Sequence, residues 1–166
     1  MALRENETAV DVAGLMQDMG NNARAAARAI ALASTQTKND ALAAIAAGIR
    51  ARSADVLAAN ARDLAGMQAR NVTPAYQERA TLSEARLEAI AGAVEAIAAL
   101  PDTVGAEMAA LERPNGLKIS RVRTPLGVIG IIFESRPNVT VDAAALALKS
   151  GNASILRGGS DTIETT

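Results

Sequence analysis

Apolar residues recur at helical spacing through the first two thirds of the chain and then run consecutively, so two architectures meet near residue 112. Val12, Leu15, Met16, Met19, Ala23, Ala26 and Ile30 fall on one face at 3.6-residue spacing and predict a helix. Gly20-Asn21-Asn22 is expected to weaken or break it, since a mid-helix glycine costs about 1 kcal/mol relative to alanine. Leu42, Ile45, Ala46 and Ile49 form a second stripe, for which Thr35 or Thr37 is the expected cap. Ser53 is expected to cap a third segment bearing Leu57, Ala61 and Leu64, ending near Asn71 ahead of Pro74. Thr81-Leu82-Ser83-Glu84 reads as a capping box, with Thr81 and Glu84 satisfying orphan N–H groups. Leu87, Ile90, Val94 and Ile97 follow as a buried face, and Pro101 stops that helix.

After Pro114 the period changes. Asn115-Gly116 signals a tight turn, and Leu117 to Arg123 predicts a partly exposed strand. The run Gly127 to Phe133 is continuous, apolar and rich in β-branched residues, as in a strand buried on both faces of a parallel sheet. Val139 to Lys149 predicts a helix with Asp142 in its first turn, Lys149 in its last and Gly151 at the left-handed position beyond it. Ala153 to Arg157 is a further short strand, closed by Gly158-Gly159. Strand, helix and strand at this spacing make a βαβ unit.

Composition sharpens the boundary, because 34 of the 39 alanines precede residue 112. Such alanine stripes let helices pack closely and imply no chemistry by themselves. The 166 residues contain no Cys, His or Trp, so a Cys/His zinc site, a Ser-His-Asp triad, a disulfide and thiol chemistry are all excluded within them. Net charge is −1, but residues 113–157 carry seven basic and two acidic side chains, which concentrates the electrostatics of an anion site there. Glu5, Glu7, Asp11 and Asp18 near the start argue against a secretory leader, and charges interrupt every apolar stretch. A cytoplasmic chain with no membrane or nucleic-acid partner is the expectation.

In open parallel sheets ligands bind beyond the carboxyl ends of the strands. Here those ends are Glu134-Ser135-Arg136-Pro137-Asn138 and Arg157-Gly158-Gly159-Ser160. The first sets a cation, a hydroxyl and an amide just before a helix N-terminus, a setting that favours anions. The same loop has a plain structural reading, in which Ser135 or Asn138 caps the helix and Arg136 pairs with Glu134. The second has two glycines that let backbone approach a ligand, with Arg157 as a fixed positive charge. Neither Gly-x-Gly-x-x-Gly nor a Walker A pattern is present.

The blocks LGVIGIIFESRPNVTVDAAALALKSGN and ILRGGS resemble the gamma-glutamyl phosphate reductase (glutamate-5-semialdehyde dehydrogenase) branch of the aldehyde dehydrogenase superfamily. The stretch NARAAARAIALASTQTKNDALAAIAAGI is also similar to the start of that family, so the resemblance spans essentially the whole chain. It implies an α/β fold: a helical N-terminal region of the cofactor domain over residues 1–112, a strand or hairpin of an oligomerisation sheet over 113–125, and the first βαβ unit of an aldehyde-dehydrogenase-like, NADP-binding domain over 126–166, the domain being incomplete. The implied reaction is NADPH-dependent reduction of L-glutamate 5-phosphate to L-glutamate 5-semialdehyde plus phosphate, in proline biosynthesis. The family's nucleophilic cysteine, which forms a thioester and receives hydride, has no counterpart in these residues, so the chain alone is expected to be inactive. A homo-oligomer and a contact with glutamate 5-kinase are the implied partners, and no metal is implied.

Two site assignments follow from the resemblance. In the superfamily a lysine at the position of Arg157 contacts the adenosine ribose, and an acidic residue at the position of Ser160 binds its hydroxyls in NAD-preferring members. Ser160 removes a charge that would oppose a 2′-phosphate by roughly 4 kcal/mol at 4 Å in an effective dielectric near 20, and Arg157 adds attraction. Arg157, Gly158, Gly159 and Ser160 are therefore the candidate cofactor contacts, with NADP expected over NAD, although Asp161 could blunt the preference. Asn138 is the candidate oxyanion donor, and Ser135 and Arg136 are candidates for contacting the acyl phosphate. A non-catalytic helical interaction module, or another acyl-phosphate or aldehyde dehydrogenase, are the alternative functions. The former gives no reason for ESRPN and RGGS to stand at the ends of two strands.

Overall fold

The computed structural model describes residues 11–166; Glu5 and Glu7, which entered the argument against a leader, lie outside the described residues. Helix α1 (Val12–Ala31) is capped by the Asp11 carboxylate, which accepts from Gly14 N at 2.9 Å. It runs without a break through Gly20-Asn21-Asn22, contrary to the expectation from sequence. The glycine penalty of about 1 kcal/mol is small beside a continuous hydrogen-bond ladder of 20 residues packed against the strands at 128–132 and 153–157.

Caps differ from those expected wherever two helices nearly abut. Helix α2 (Thr35–Ala51) is capped by Ser34, whose Oγ accepts from Thr37 N at 3.0 Å, rather than by Thr35 or Thr37. Helix α3 (Ser53–Ala69) follows after Arg52 alone, so Ser53 lies inside it and no side chain caps it. It ends as expected near Asn71, which takes a left-handed φ of 55°. A further short helix, α4 (Pro74–Ala80), was not expected; Pro74 opens it, where a missing N–H costs nothing. Thr81 terminates α4 and donates to Gln77 O at 2.8 Å, so the box expected on Thr81 does not form. Ser83 caps α5 (Glu84–Ala99) instead, accepting from Arg86 N at 3.2 Å.

Strand β1 (Glu107–Glu112) lies within the stretch read as helical from sequence and pairs antiparallel with β2 (Lys118–Val122). The Asn115-Gly116 turn joins them, with Asn115 Oδ1 accepting from Leu117 N at 3.1 Å. Every residue of both strands is exposed.

Strand β3 (Val128–Ile132), helix α6 (Pro137–Lys149) and β4 (Ala153–Arg157) form the expected parallel βαβ unit, in register from Val128 opposite Ala153 to Ile132 opposite Arg157. Helix α6 begins at Pro137 rather than Val139, which puts Asp142 beyond the first turn. Gly151 takes φ +76° after the helix, and a Cβ there would meet Pro125 Cγ at 2.9 Å. β3 is not buried on both faces as its apolar run predicts: Ile132 is 80% exposed, and in the described two-stranded sheet β3 is an edge strand.

The core lies where α2, α5 and α6 meet. Leu42, Ala46, Ala91, Val94 and Ala145 are buried there, flanked by Ile45, Ile49, Ile97, Val141 and Leu148. Fully burying a Leu or Val side chain contributes about 1.5–3 kcal/mol, and the alanines set how closely the helices approach. Buried polar groups tie the pieces together. Lys38 is 2% exposed and ion-paired to Asp102 at 2.6 Å. Lys149 donates to Asn39 Oδ1 at 2.6 Å and to Ala98 O at 2.7 Å. On α3, Asn60 donates to Ala80 O and accepts from Leu82 N, while Asp63 accepts from Thr165 N at 2.9 Å and Glu164 N at 3.2 Å. The segment after β4 is thereby docked on α3, which fixes the setting of the candidate site.

Candidate functional site

The ladder of the parallel sheet extends one step past its strands, with Phe133 N donating to Arg157 O at 3.1 Å. The ESRPN and RGGS loops therefore leave the sheet side by side. They are in direct contact: a Cβ on Gly159 would stand 2.5 Å from Ser135 Oγ and 3.2 Å from Ser135 N. The space beside Gly158 is likewise filled, by Thr166 Oγ1 at 3.1 Å. Packing against protein thus accounts for both glycines, where the sequence suggested room for a ligand.

Ser135 is 2% exposed. Its Oγ lies 2.9 Å from the Tyr76 hydroxyl, which also lies 3.3 Å from Asp161 Oδ2. The Tyr76 hydroxyl donates to Ser135 Oγ, the nearer acceptor, with the Asp161 carboxylate as a longer second acceptor of the same proton. An accessible contact with an acyl phosphate, expected of Ser135, does not fit this burial; its position makes it a strut between the two loops. Asp161 is further held by Arg70, whose Nη2 donates to Oδ1 at 2.7 Å. Arg157 is exposed, and among the described residues its guanidinium makes one hydrogen bond, to Gly158 O at 3.3 Å. Ser160 is exposed and opens a single 3-10 turn, Ser160–Thr162.

Arg136 and Asn138 lie elsewhere. They line a cleft of about 550 Å³ between α6 and the α4–α5 corner, together with Arg79, Arg86 and Ile90. Neither Ser135 nor Asn138 caps α6: its N-cap is Arg136, with no side-chain cap bond. The plain reading that paired Arg136 with Glu134 also fails, because their contact is a backbone one, Arg136 N to Glu134 O at 2.7 Å. Among the described residues no salt bridge engages Arg136 or Arg79, whereas Arg86 is bound to Glu78 and to the carbonyls of Glu78 and Thr81. Asn138 Nδ2 donates to Asp142 Oδ2 at 3.2 Å, which leaves its second N–H available. The structure thus splits the sequence candidates into a cation-lined cleft holding Arg136 and Asn138, and a separate strand end holding Arg157 and Ser160. Tyr76, Arg70 and Arg79 were missed; that Tyr76 is the only tyrosine, in an alanine-rich stretch, was the one available signal.

The chain is 56% identical over 162 residues to the gamma-glutamyl phosphate reductase of Beijerinckia indica, a match covering 98% of this chain and 38% of that protein. It is 59% identical over 155 residues to the same enzyme of Methylorubrum populi, covering 93% of this chain and 36% of the relative. Nearly the whole chain is thus homologous to part of the gamma-glutamyl phosphate reductases. Solved structures agree: the gamma-glutamyl phosphate reductase of Thermotoga maritima superimposes with a TM-score of 0.89 at 39% identity, covering 90% of this chain and 36% of that one. That of Saccharomyces cerevisiae gives 0.84 at 32% identity, covering 90% and 38%. No family model matches. The chain spans little more than a third of the length of the curated gamma-glutamyl phosphate reductases it matches. The α/β fold class expected from the resemblance, helices followed by the opening βαβ unit, is the one observed.

Proposed function

We propose that the chain carries the cofactor side of an enzyme that reduces L-glutamate 5-phosphate to L-glutamate 5-semialdehyde with release of phosphate, acting in the cytoplasm with NADPH. The observation that carries this reading is the placement of ESRPN and RGGS side by side at the carboxyl ends of two parallel strands, with both Arg136 and Arg157 free of ion pairs among the described residues. Parallel sheets present ligands at that edge.

The residues fit a phosphorylated adenosine ribose at the β4 end. Among the described residues Arg157 has no hydrogen-bond or ion-pair partner beyond its own loop, Ser160 places no charge beside it, and Asp161 is compensated by Arg70. A nicotinamide cofactor held there would supply the hydride. Gly158 and Gly159 act by letting the loops close on Thr166 and Ser135, which sets the direction of Arg157. In the cleft, Arg136 attracts the acyl phosphate and the free N–H of Asn138 donates to the carbonyl oxygen as it gains negative charge. Ser135 holds the loop that carries Arg136. Assembly into a homo-oligomer through the β1–β2 hairpin, and a contact with glutamate 5-kinase, complete this reading.

Arg136→Ala in the full-length protein is expected to weaken binding of glutamyl phosphate about tenfold or more, the effect of losing a charge-assisted hydrogen bond. Unchanged turnover and substrate affinity overturn the phosphate contact. With no cysteine among its 166 residues, the chain by itself is expected to show no reductase turnover; measurable NADPH-dependent activity would refute that.

A further inference from the structure

The end of β4 carries a cation and, four residues on, an anion that does not meet it. Among the described residues the Arg157 guanidinium hydrogen-bonds only the carbonyl of Gly158. Asp161 instead turns to the helical region, with Oδ1 2.7 Å from Arg70 Nη2 and Oδ2 3.3 Å from the Tyr76 hydroxyl. Its two donors come from different elements: Arg70 is the residue that ends α3, and Tyr76 lies in α4. The arrangement is anchored independently, since Asp63 of α3 holds the backbone N–H groups of Glu164 and Thr165, and Arg62 pairs with Glu164 at 3.0 Å. Asp161 is thus one of several contacts that dock this segment, and it alone stands next to Ser160.

A carboxylate at that place matters to any anion bound at the β4 end. Left free, it repels a second negative charge across a few ångströms of partly dry protein. Paired with a guanidinium, its field is largely cancelled, and Arg157 dominates. Discrimination between ligands by an added phosphate is then a matter of which charges the site leaves uncompensated.

We propose that Arg70 and Tyr76 are specificity-determining residues: by holding Asp161 against α3 and α4 they keep its charge compensated, so the β4 end accepts an adenosine ribose that bears a 2′-phosphate. This rests on the reading of Arg157 and Ser160 as ribose contacts given above. Neither residue touches the ligand; both act through Asp161.

The test is calorimetric binding of adenosine 2′,5′-bisphosphate and of 5′-AMP to the full-length protein, which reads the 2′-phosphate without turnover. Wild type is expected to prefer the bisphosphate. Arg70→Ala should lower the affinity ratio about three- to tenfold at low salt, with the effect shrinking as salt rises. Tyr76→Phe should lower it less, about twofold, since Arg70 remains. Adding Asp161→Asn to Arg70→Ala should restore the ratio, which a merely structural loss would not do. A ratio unchanged in Arg70→Ala, or lowered and not restored by Asp161→Asn, overturns the proposal. Equal affinity of the wild type for both ligands would instead remove the ribose reading on which it rests.

Discussion

The two small sheets of this chain have the same number of strands and opposite relations to the rest of the molecule. The β1–β2 hairpin is antiparallel, closed by a local turn and exposed at every position, including Met108, Leu111, Leu117, Ile119 and Val122. The β3–β4 pair is parallel, needs the α6 crossover to form at all, and is held from one side by α1 and through α6 by the central helices. Local hydrogen bonding is enough for the first; tertiary packing is required for the second. The difference separates two tasks. A hairpin that spends apolar side chains on solvent is suited to another surface, whereas strand ends fixed by a packed core can hold charges at defined places.

Truncation in the core that supports the βαβ unit should cost far more than truncation in the hairpin. Leu42→Ala, at a fully buried position, is expected to cost about 2–5 kcal/mol in denaturant unfolding, while Leu111→Ala in the hairpin should stay within about 0.5 kcal/mol. Equal costs would break the distinction between the two sheets. Next in size is Gly159→Ala, whose Cβ would be driven to 2.5 Å from Ser135 Oγ. We expect about 1–3 kcal/mol of destabilisation with loss of protection at the amides of Ser135 and Arg136, read by hydrogen exchange. A neutral result would mean the loops are not in contact.

Acid should loosen the root of the hairpin. Burial alone would raise the Asp102 carboxyl, but hydrogen bonds from Lys38, Val104 N and Thr35 outweigh it and hold the pKa at about 2, against 3.8 for the free group. A depressed folded-state pKa stabilises the fold fully above the unfolded value and loses that contribution as pH falls through about 2. Amide exchange at Val104 and Gly105 is thus expected to rise between pH 4 and pH 2, and Lys38→Met should reduce the pH dependence without removing it, since Val104 N and Thr35 still donate to the carboxylate; a flat profile in the wild type would sink the idea. The smallest effect on folding is expected from Ile119→Lys, within about 0.5 kcal/mol, with dissociation of any oligomer seen by sedimentation. An oligomer that survives this change does not use the hairpin face.

Most of the element order was legible because it rests on local rules. The 3.6-residue stripes placed α2, α3 and α5, Pro101 ended α5 where expected, and the apolar run with Gly151 gave the βαβ unit. The misses share a cause. Thr81, Ser53 and Thr35 all have capping chemistry, and which hydroxyl caps depends on where the neighbouring helix stops, as Ser83 and Ser34 show. β1 was lost because Glu107 to Glu112 is alanine-bearing and helix-compatible by composition, and only pairing with β2 makes it a strand. Of the candidate site, both loops were legible as polar inserts after apolar strands. Their partners were not: Tyr76 and Arg70 lie 59 and 91 residues from the groups they hold, Ser135 and Asp161.

The sequence by itself determined the helical stripes, the change of architecture near residue 112, the absence of any thiol or imidazole in these residues, and the cations after two parallel strands. Tertiary structure decided which of those polar groups remain free. Ser135 and Asp161 were consumed by contacts from distant helices, and Gly158 and Gly159 by close packing, while Arg136 and Arg157 were left without ion pairs among the described residues. The physical reason is that charge and hydrogen-bonding capacity belong to a residue type, but whether a partner satisfies them depends on approach through space, which no local pattern encodes.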